Sequence, residues 1–230
     1  MSIEAILRGD VRAIARAATE VETGSSGLVS ELARHAGQAL TIGITGPPGA
    51  GKSTLCDQFI RVLRAEGKRV AVIAVDPSSP FTGGALLGDR IRMQRHHADP
   101  GVFIRSMAAR GWAGGLAQAT KDLVTLFDAA GYDVVLIETV GVGQSEIAVA
   151  RLAKVTVVVL TPGAGDDVQS IKAGIMEIAQ VFAINKADLP GAEILARHLH
   201  MEAPDVPAVQ VVASEGKGVG ELLDAIRRAA

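Results

Sequence analysis

Residues 46–54 of this sequence form a glycine-rich run that restricts the chain to a small set of folds. The run reads Gly-Pro-Pro-Gly-Ala-Gly-Lys-Ser-Thr and fits the pattern G-x-x-x-x-G-K-[ST], in which backbone N–H groups surround phosphate oxygens. It follows an apolar run at 40–45 and precedes a stretch compatible with a helix, which is the context that the pattern requires. The sequence therefore predicts a phosphate-binding loop between a strand and a helix.

The glycines, the lysine and the serine of this loop each have an expected role in phosphate binding. Glycines let the backbone curl so that consecutive amides face a phosphate, and the N-terminus of the following helix adds partial positive charge. Lys52 is expected to reach the β- and γ-phosphates, and the Ser53 hydroxyl is expected to ligate Mg²⁺. The candidate nucleotide-binding residues are Gly46, Pro47, Pro48, Gly49, Ala50, Gly51, Lys52, Ser53 and Thr54.

A second polar run, Asn185-Lys186-Ala187-Asp188, follows an apolar stretch and predicts which base is bound. Guanine presents two adjacent donors, which the single carboxylate of Asp188 accepts in parallel. Adenine presents an acceptor at N1 instead, so the carboxylate would lack a partner, at a cost of roughly 1–3 kcal/mol or more. The Lys186 stem is expected to cover the base, and Asn185 to tie its loop to the phosphate loop. Together the two motifs predict GTP and GDP as ligands, with Mg²⁺.

The composition favours one sizeable α/β domain. Of the 230 residues 48% are apolar and only 3% aromatic, so the core is expected to consist of Val, Ile, Leu and Ala. The net charge of −2 gives no bulk argument for nucleic acid or an anionic membrane, and the single cysteine, Cys56, excludes a disulfide within the chain. The sequence begins without a signal pattern, and no apolar run approaches roughly 18 residues, so we expect a cytoplasmic protein.

Strand-like and helix-like runs alternate after residue 40, which predicts the three-layer α/β fold of P-loop NTPases with a mostly parallel seven-stranded sheet. The candidate strands are Leu40–Thr45, Val70–Asp76, Val102–Ser106, Val134–Thr139, Val155–Thr161, Val181–Asn185 and Val209–Ala213. The candidate helices lie near 53–66, 86–97, 114–130, 144–152, 168–179, 191–201 and 219–229. Polar residues end most of the strands, so the ligand is expected at that edge of the sheet.

The first part of the chain predicts a helical N-terminal extension, 1–38, that packs on a GTPase domain, 39–230. Apolar residues recur at helical spacing from the start of the chain: Ile3, Ile6, Leu7, Val11, Ile14 and Ala18. The run Gly24-Ser25-Ser26-Gly27 is expected to end this helix and to separate it from a second one.

Three acidic residues are candidates for metal binding or catalysis. Asp76 leaves the second strand for a loop rich in Pro and Ser, where its carboxylate could hold Mg²⁺ or its waters, or stabilise a turn. Asp89 could approach the same metal or cap a helix. Glu138 and Gly141 have the D-x-x-G spacing of small GTPases, in which the acid orients a metal-bound water and the glycine amide senses the γ-phosphate. Gln144 could orient the attacking water or cap the next helix.

Other loops are open to both a binding and a structural interpretation. Residues 161–172 are rich in glycine and polar side chains, which suits a contact loop or a plain connector. The last strand ends in Ala213, Ser214 and Glu215, whose backbone amides could contact the guanine O6 or form an ordinary turn. Arg105 could meet a phosphate or an acidic group of a partner, or lie in solvent.

Five segments of the sequence together are similar to the MeaB/ArgK/MMAA family, the G-protein chaperones associated with methylmalonyl-CoA mutase and related to the metallochaperone GTPases. The segments are 46–54, 75–84 (VDPSSPFTGG), 138–146 (ETVGVGQSE), 162–166 (PGAGD) and 185–188 (NKAD). The resemblance includes residues 7–13 and covers nearly the whole chain, and 138–146 is its most specific part.

The resemblance implies a GTPase that guards an adenosylcobalamin-dependent acyl-CoA mutase by gating cobalamin loading and the removal of damaged cofactor. It also implies that residues 161–172, with Lys172, form a mobile switch that contacts the mutase. Family members usually continue into a C-terminal helical arm used for dimerisation, whereas this sequence stops at Ala230, so a homodimer is expected to use another surface. The residues with implied metal or catalytic roles are Lys52, Ser53, Asp76, Asp89 and Glu138.

Two other functions are compatible with a fold of this kind. A metallochaperone GTPase that delivers nickel or cobalt would be expected to carry a His- or Cys-rich tract, and the sequence has none. A kinase or ATPase for the transport of arginine and ornithine would require ATP, against which Asp188 argues. A competition assay between ATP and GTP distinguishes the transport kinase or ATPase from the GTPase chaperone.

Overall fold

The computed structural model describes residues 2–24, 26–77, 94–96, 98–109, 113–139, 152–163 and 176–230. The strands in these ranges are β1 (Leu40–Thr45), β2 (Val70–Pro77), β3 (Val102–Ala109), β4 (Val134–Thr139), β5 (Val155–Leu160), β6 (Val181–Asn185) and β7 (Ala208–Val211). They form a seven-stranded sheet of order β3-β2-β4-β1-β5-β6-β7. Every strand pair whose register is described is parallel, so each pair needs a crossover connection.

Seven α-helices lie in the same described ranges, with three short 3₁₀ turns at Ala33–His35, Gln94–His96 and Met176–Ile178. The helices are α1 (Ile3–Leu7), α2 (Val11–Glu22), α3 (Ser26–Leu32), α4 (Lys52–Ala65), α5 (Ala113–Ala129), α6 (Ala192–Glu202) and α7 (Val219–Ala229). None of these helices combines the length and the apolar run that crossing a bilayer requires.

The predicted α/β fold with seven strands is confirmed, and the differences concern the ends of elements. β2 and β3 continue to Pro77 and Ala109, while β5 and β7 stop earlier, at Leu160 and Val211. Four predicted helices are present as α4, α5, α6 and α7. The predicted helix at 144–152 and most of those at 86–97 and 168–179 lie outside the described residues. The part of the predicted helix 86–97 that the structure describes forms the 3₁₀ turn Gln94–His96, and the described part of 168–179 contains the turn Met176–Ile178.

The N-terminal extension has one more break than the apolar spacing predicts. α1 ends at Leu7, and α2 begins at Val11 because the Asp10 carboxylate accepts a hydrogen bond from the Ala13 N–H at 2.8 Å. Gly9, at φ +80°, supplies the turn between the two helices. The apolar residues keep their spacing across this turn, so periodicity alone does not show it. The predicted break after α2 is present, since α3 begins at Ser26.

The chain forms two compact units, Met1–Thr41 with Leu63–Leu136, and Ile42–Val62 with Ile137–Ala230. In the first unit α2 packs against α5 and buries one apolar face: Ile14, Ala17, Ala18 and Val21. Three aromatic rings of the same unit, those of Phe103, Phe127 and Tyr132, contact one another, with centroids 5.1–6.3 Å apart. Helix packing and a small aromatic cluster therefore supply much of the core of this unit.

Arg105 joins α2 to β3 within the first unit. Its guanidinium donates to the two carboxylate oxygens of Glu22 at 2.6 and 2.8 Å, and to Thr19 Oγ1 at 3.3 Å. The hydrogen bonds to Glu22 raise the pKa of Arg105 above its ordinary value. A bidentate pair of this kind fixes orientation as well as charge. Arg105, which the sequence leaves open to several interpretations, therefore pairs with an acid of its own chain.

In the second unit β5 and β6 are buried on both faces, as in a parallel sheet covered by helices, whereas the edge strand β7 is partly exposed. Every residue of β5 and β6 is buried, and the apolar cluster between these strands and α6 contains Val158, Leu160, Ala179, Phe182, Ile184, Ala192, Leu195 and Leu199. α7 buries the apolar side of its amphipathic pattern, which includes Leu222 and Ile226. The strand ends and the loops that follow them are thereby held on a rigid support.

The entry into β1 is fixed by a carboxylate of α5. Asp128 accepts hydrogen bonds from three consecutive backbone N–H groups, those of Gly37 at 2.6 Å, Gln38 at 3.1 Å and Ala39 at 3.0 Å. Hydrogen bonds to an ionised acceptor are stronger than those between neutral groups. One side chain therefore sets the path of the chain just before the strand that leads to the phosphate loop.

We expect Asp128→Ala to lower the free energy of unfolding by about 2–3 kcal/mol, because three backbone donors lose a charged acceptor. The measurement is urea unfolding at neutral pH. Asp122→Ala is the matched control on the same helix. Asp122 accepts one hydrogen bond, from Gln118 in an exposed position, so its loss should cost below about 0.5 kcal/mol. Equal losses in the two variants would contradict this role of Asp128.

Candidate nucleotide site

The loop at 46–51 joins β1 to α4 and has the backbone that only glycine adopts readily at three positions. Gly46, Gly49 and Gly51 have φ angles of +141°, +76° and +91°. A β-carbon on Gly46 would overlap the backbone carbonyl oxygen of Val159 in β5. The loop therefore lies directly against the sheet, and α4 begins at its far end with N–H groups that have no partner within the helix.

Lys52 is folded back over the loop that precedes it. Its Nζ donates to the carbonyl oxygens of Gly46 at 2.7 Å and Pro47 at 3.0 Å, and the residue is only 6% exposed. These bonds use two of the three donors of the ammonium group and hold it across the loop instead of letting it extend into solvent. The positive charge is fixed beside the loop amides and the α4 N-terminus, an arrangement that favours a bound anion.

Ser53 and Glu138 bring together two oxygen atoms that could bind a metal, directly after the phosphate loop. The Ser53 hydroxyl donates to Glu138 Oε1 at 2.6 Å, and the two residues are 7% and 1% exposed. A hydroxyl and a carboxylate are among the hard oxygen ligands that Mg²⁺ prefers, so this pair fits such an ion.

Five other sequence candidates have side chains outside the part of the chain that the structure describes. Asp76 lies near the end of β2, where the structure describes its backbone and not its side chain. Asp89 and Gly141 lie outside the described residues, as do Gln144 and Lys172. Their roles stay predictions from the sequence.

The Asn185 side chain connects the phosphate loop to the loop after β7. Its Nδ2 donates to the Ala50 carbonyl oxygen at 2.7 Å, and its Oδ1 accepts the Ala213 N–H at 3.0 Å. A β-carbon on Gly51 would overlap Nδ2 of the same side chain. Asn185 is 3% exposed, so both bonds are made away from water. The structure thus brings together three segments that the sequence separates widely.

The residues expected to face the base lie in two turns, one after β6 and one after β7. Lys186 has φ +56°, the one positive value among the described non-glycine residues, so the chain turns sharply directly after β6. The Ala187 N–H donates to the Val211 carbonyl at 3.1 Å, which attaches this turn to β7. Asp188 is exposed, and so are Ser214 and Glu215 of the second turn. An exposed carboxylate beside a fixed turn is suited to bind a ligand from solvent.

Sequence reasoning assigned no role to two residues that contact this site. Lys217 forms an ion pair with Glu215 at 2.6 Å, and that hydrogen bond raises the pKa of Lys217. Gln58 of α4 is 7% exposed and lies against Gly216. A signal for Gln58 exists in the sequence, since it is an uncharged polar residue within a run of α4 that is otherwise largely apolar and buried.

Comparison with known families assigns nearly the whole chain. The model of the family described as "Methylmalonyl Co-A mutase-associated GTPase MeaB" matches residues 12–230. The chain is 53% identical to a protein of Pyrococcus horikoshii named as a GTPase, over 98% of this chain and 75% of that protein. It is 44% identical to GTPase ArgK of Escherichia coli, over 88% of this chain and 64% of that protein.

Further relatives include a mitochondrial protein and solved structures. The methylmalonic aciduria type A homolog of Mus musculus is 40% identical, over 84% of this chain and 50% of that protein. The crystal structure of a LAO/AO transport system kinase superposes with a TM-score of 0.78 at 33% identity, over 99% of this chain and 73% of that one. The hydrogenase maturation factor HypB of Archaeoglobus fulgidus, at 19% identity over 95% of this chain and 98% of that one, has a TM-score of 0.63 and shares the fold.

We expect Gly51→Ala to be much more destabilising than Gly49→Ala in protein without nucleotide. Both glycines have positive φ, so both variants carry similar backbone strain of about 1–2 kcal/mol. Only at Gly51 does the new β-carbon meet Asn185, whereas nothing lies within 4 Å of a β-carbon at Gly49. We expect an additional loss of about 2 kcal/mol in Gly51→Ala, measured by urea unfolding, because Asn185 must release its backbone partners. Equal stabilities would show that this contact is unimportant.

Proposed function

The chain belongs to the MeaB family of GTPases, and we propose that it is a G-protein chaperone of an adenosylcobalamin-dependent acyl-CoA mutase. The single observation that carries the proposal is the family match over residues 12–230, since that family is described by its association with methylmalonyl-CoA mutase. In this proposal GTP binding and hydrolysis gate the loading of the cobalamin cofactor and its protection. The GTPase activity itself follows from the family.

We assign the phosphate side of the site to residues of the loop and of β4. Lys52 is placed to offset negative charge on the transferring phosphoryl group, a contribution that grows as that charge develops. Ser53 is the residue of this loop that would hold Mg²⁺, with Glu138 beside it and Asp76 as the further ligand that the sequence predicts. When bound, that ion would neutralise charge on the β- and γ-phosphates and order water near them. The loop amides and Lys52 bind and orient the phosphates.

We assign the base side to the two turns after β6 and β7. Asp188 accepts the two guanine donors, and the backbone amides of Ala213, Ser214 and Glu215 face O6. The Lys186 stem covers the base. This assignment is supported by the exposure of Asp188 and by the backbone bond that attaches its turn to β7.

A second candidate function has one specific observation in its favour. The solved structure that is 33% identical to this chain is that of a protein named as a LAO/AO transport system kinase. Such a function would require transfer of a phosphoryl group from ATP to a protein. Asp188 argues against it, because its carboxylate favours guanine over adenine. Delivery of a metal has less support, because no group of three metal-ligating side chains exists among the residues that the structure describes.

We expect Asp188→Asn to exchange guanine for xanthine specificity. Xanthine has a carbonyl where guanine has its amino group, and an amide side chain donates to that carbonyl where a carboxylate does not. GDP affinity should fall by about 100-fold and xanthosine diphosphate should bind more tightly than GDP, as measured by calorimetry with Mg²⁺. The matched control is Asp205→Asn, at an exposed position before β7. Equal affinities of the wild type for ATP and GTP would refute the assignment of the base side.

The partner is tested by GTP hydrolysis with and without an adenosylcobalamin-dependent acyl-CoA mutase from the same organism. We expect the mutase to bind in a nucleotide-dependent way and to raise turnover about tenfold or more, as regulators of GTPases do. Lys172→Ala should keep GDP affinity and lose the stimulation, since Lys172 lies outside both nucleotide motifs. Lys121→Ala, at an exposed lysine of α5, is the matched control and should be stimulated normally.

Each result of this assay decides one part of the proposal. A mutase that neither binds nor stimulates the protein in any nucleotide state refutes the chaperone function and leaves the GTPase activity standing. Transfer of the γ-phosphate to a transport protein, followed with labelled GTP and ATP, would favour the kinase instead.

A further inference from the structure

Gln58 is a buried amide whose position none of the motifs explains. It lies on α4, the helix that begins at Lys52, and it is 7% exposed. Burial of an amide costs free energy unless polar contacts compensate for it. Its described hydrogen bond is a weak one, from Arg61 Nη1 to Oε1 at 3.4 Å. The burial therefore calls for a role beyond this bond.

The far end of Gln58 lies against the turn that follows β7. A methyl group on Gly216 would lie 3.3 Å from Gln58 Oε1 and 3.8 Å from Cδ. Gly216 has φ +75°, and the turn around it is closed by the Val212 N–H, which donates to the Lys217 carbonyl at 3.0 Å. The Glu215 N–H donates to the Val212 carbonyl at 2.9 Å within the same turn. Gln58 thus fills the space beside a turn whose own hydrogen bonds fix its shape.

We infer that Gln58 is a positioning residue for purine recognition, because it braces the turn at 213–217 from the helix of the phosphate loop. Asn185 holds the first residue of this turn, Ala213, through a hydrogen bond. Gln58 lies beside its far side, at Gly216, with room for less than a full methyl group between them. The inference rests on the base-contacting role proposed for Ala213, Ser214 and Glu215. It adds a second connection between the phosphate side and the base side of the site.

The test separates the base from the phosphates by comparing two probes, GDP and inorganic pyrophosphate. In Gln58→Ala the unsupported turn should weaken GDP binding by about tenfold, mainly through faster dissociation of a fluorescent GDP analogue. Displacement of that analogue by pyrophosphate should give the wild-type pyrophosphate constant within about twofold. The bonds from Lys52 to Gly46 and Pro47 do not involve Gln58, so the phosphate side is unchanged.

Two further variants separate bracing from general damage to the fold. Gln58→Met keeps the length and most of the volume of the side chain, so it should restore GDP dissociation to within about threefold of the wild type. Arg61→Ala removes the weak hydrogen bond to Gln58 and keeps the Gln58 side chain, so it should leave GDP binding unchanged. If Gln58→Ala does not fold, Gln58→Ser, which also lacks the far end of the side chain, takes its place here and in the double-mutant cycle.

A double-mutant cycle with Gly216→Ala measures the contact directly. The strain of an alanine at φ +75° is common to both backgrounds and cancels, whereas the tight 3.3 Å approach to Gln58 Oε1 exists in only one. We expect Gly216→Ala to weaken GDP binding at least about threefold less in the Gln58→Ala background than in the wild type, because the side chain that the new methyl group meets is absent.

Three results would overturn the inference: an additive cycle, an equal loss of GDP and pyrophosphate affinity in Gln58→Ala, or a Gln58→Met variant as defective as Gln58→Ala. A failure of the proposed base side is recognised separately: Asp188→Asn would then keep its GDP affinity, while the same cycle measured by urea unfolding of the nucleotide-free protein would still show coupling between Gln58 and Gly216.

Discussion

The side chain of Asn185 holds the site together, and most of the other features depend on it. One end of the amide binds the Ala50 carbonyl in the phosphate loop, and the other end binds the Ala213 N–H in the loop after β7. Both bonds are buried, so removal of the side chain would leave two backbone groups unsatisfied, at about 1–3 kcal/mol each. In the site that we propose, Asn185 therefore ties the phosphate side to the base side through both ends of one short side chain.

Two glycines of the phosphate loop have no room for a β-carbon. At Gly51 the side chain of Asn185 occupies the space that a β-carbon would need. At Gly46 the backbone carbonyl oxygen of Val159 occupies it. The loop is pressed against β5 and against the Asn185 side chain at the end of β6. Lys52 completes the arrangement, since the carbonyls of Gly46 and Pro47 hold its charge at the loop. In the function that we propose, this fixed charge would bind the phosphates with little reorganisation.

The fold was largely predictable from the sequence because parallel strands buried on both faces read as continuous apolar runs. β4 and β6, for example, have the predicted bounds, while β3 runs on to Ala109. The break between α1 and α2 was missed, because the apolar spacing continues through Gly9 and Asp10. In the site, the glycine-rich loop and the run at 185–188 were recognised from residue types that the chemistry requires. Gln58 and the pair of Glu215 with Lys217 were not, since their roles depend on which turns the fold brings together.

The loop after β7 shows why the base side of such a site is hard to read from residue types. Ser214 and Glu215 are exposed, and the shape of their turn depends on backbone bonds between Val212, Glu215 and Lys217. A ligand that meets backbone amides places little restriction on the side chains that carry them. In the site that we propose, the restriction falls on the neighbours that hold the backbone in place, which are Asn185 through its hydrogen bond to Ala213 and Gln58 beside Gly216. In a loop of this kind the side chains that matter for recognition are the ones outside it.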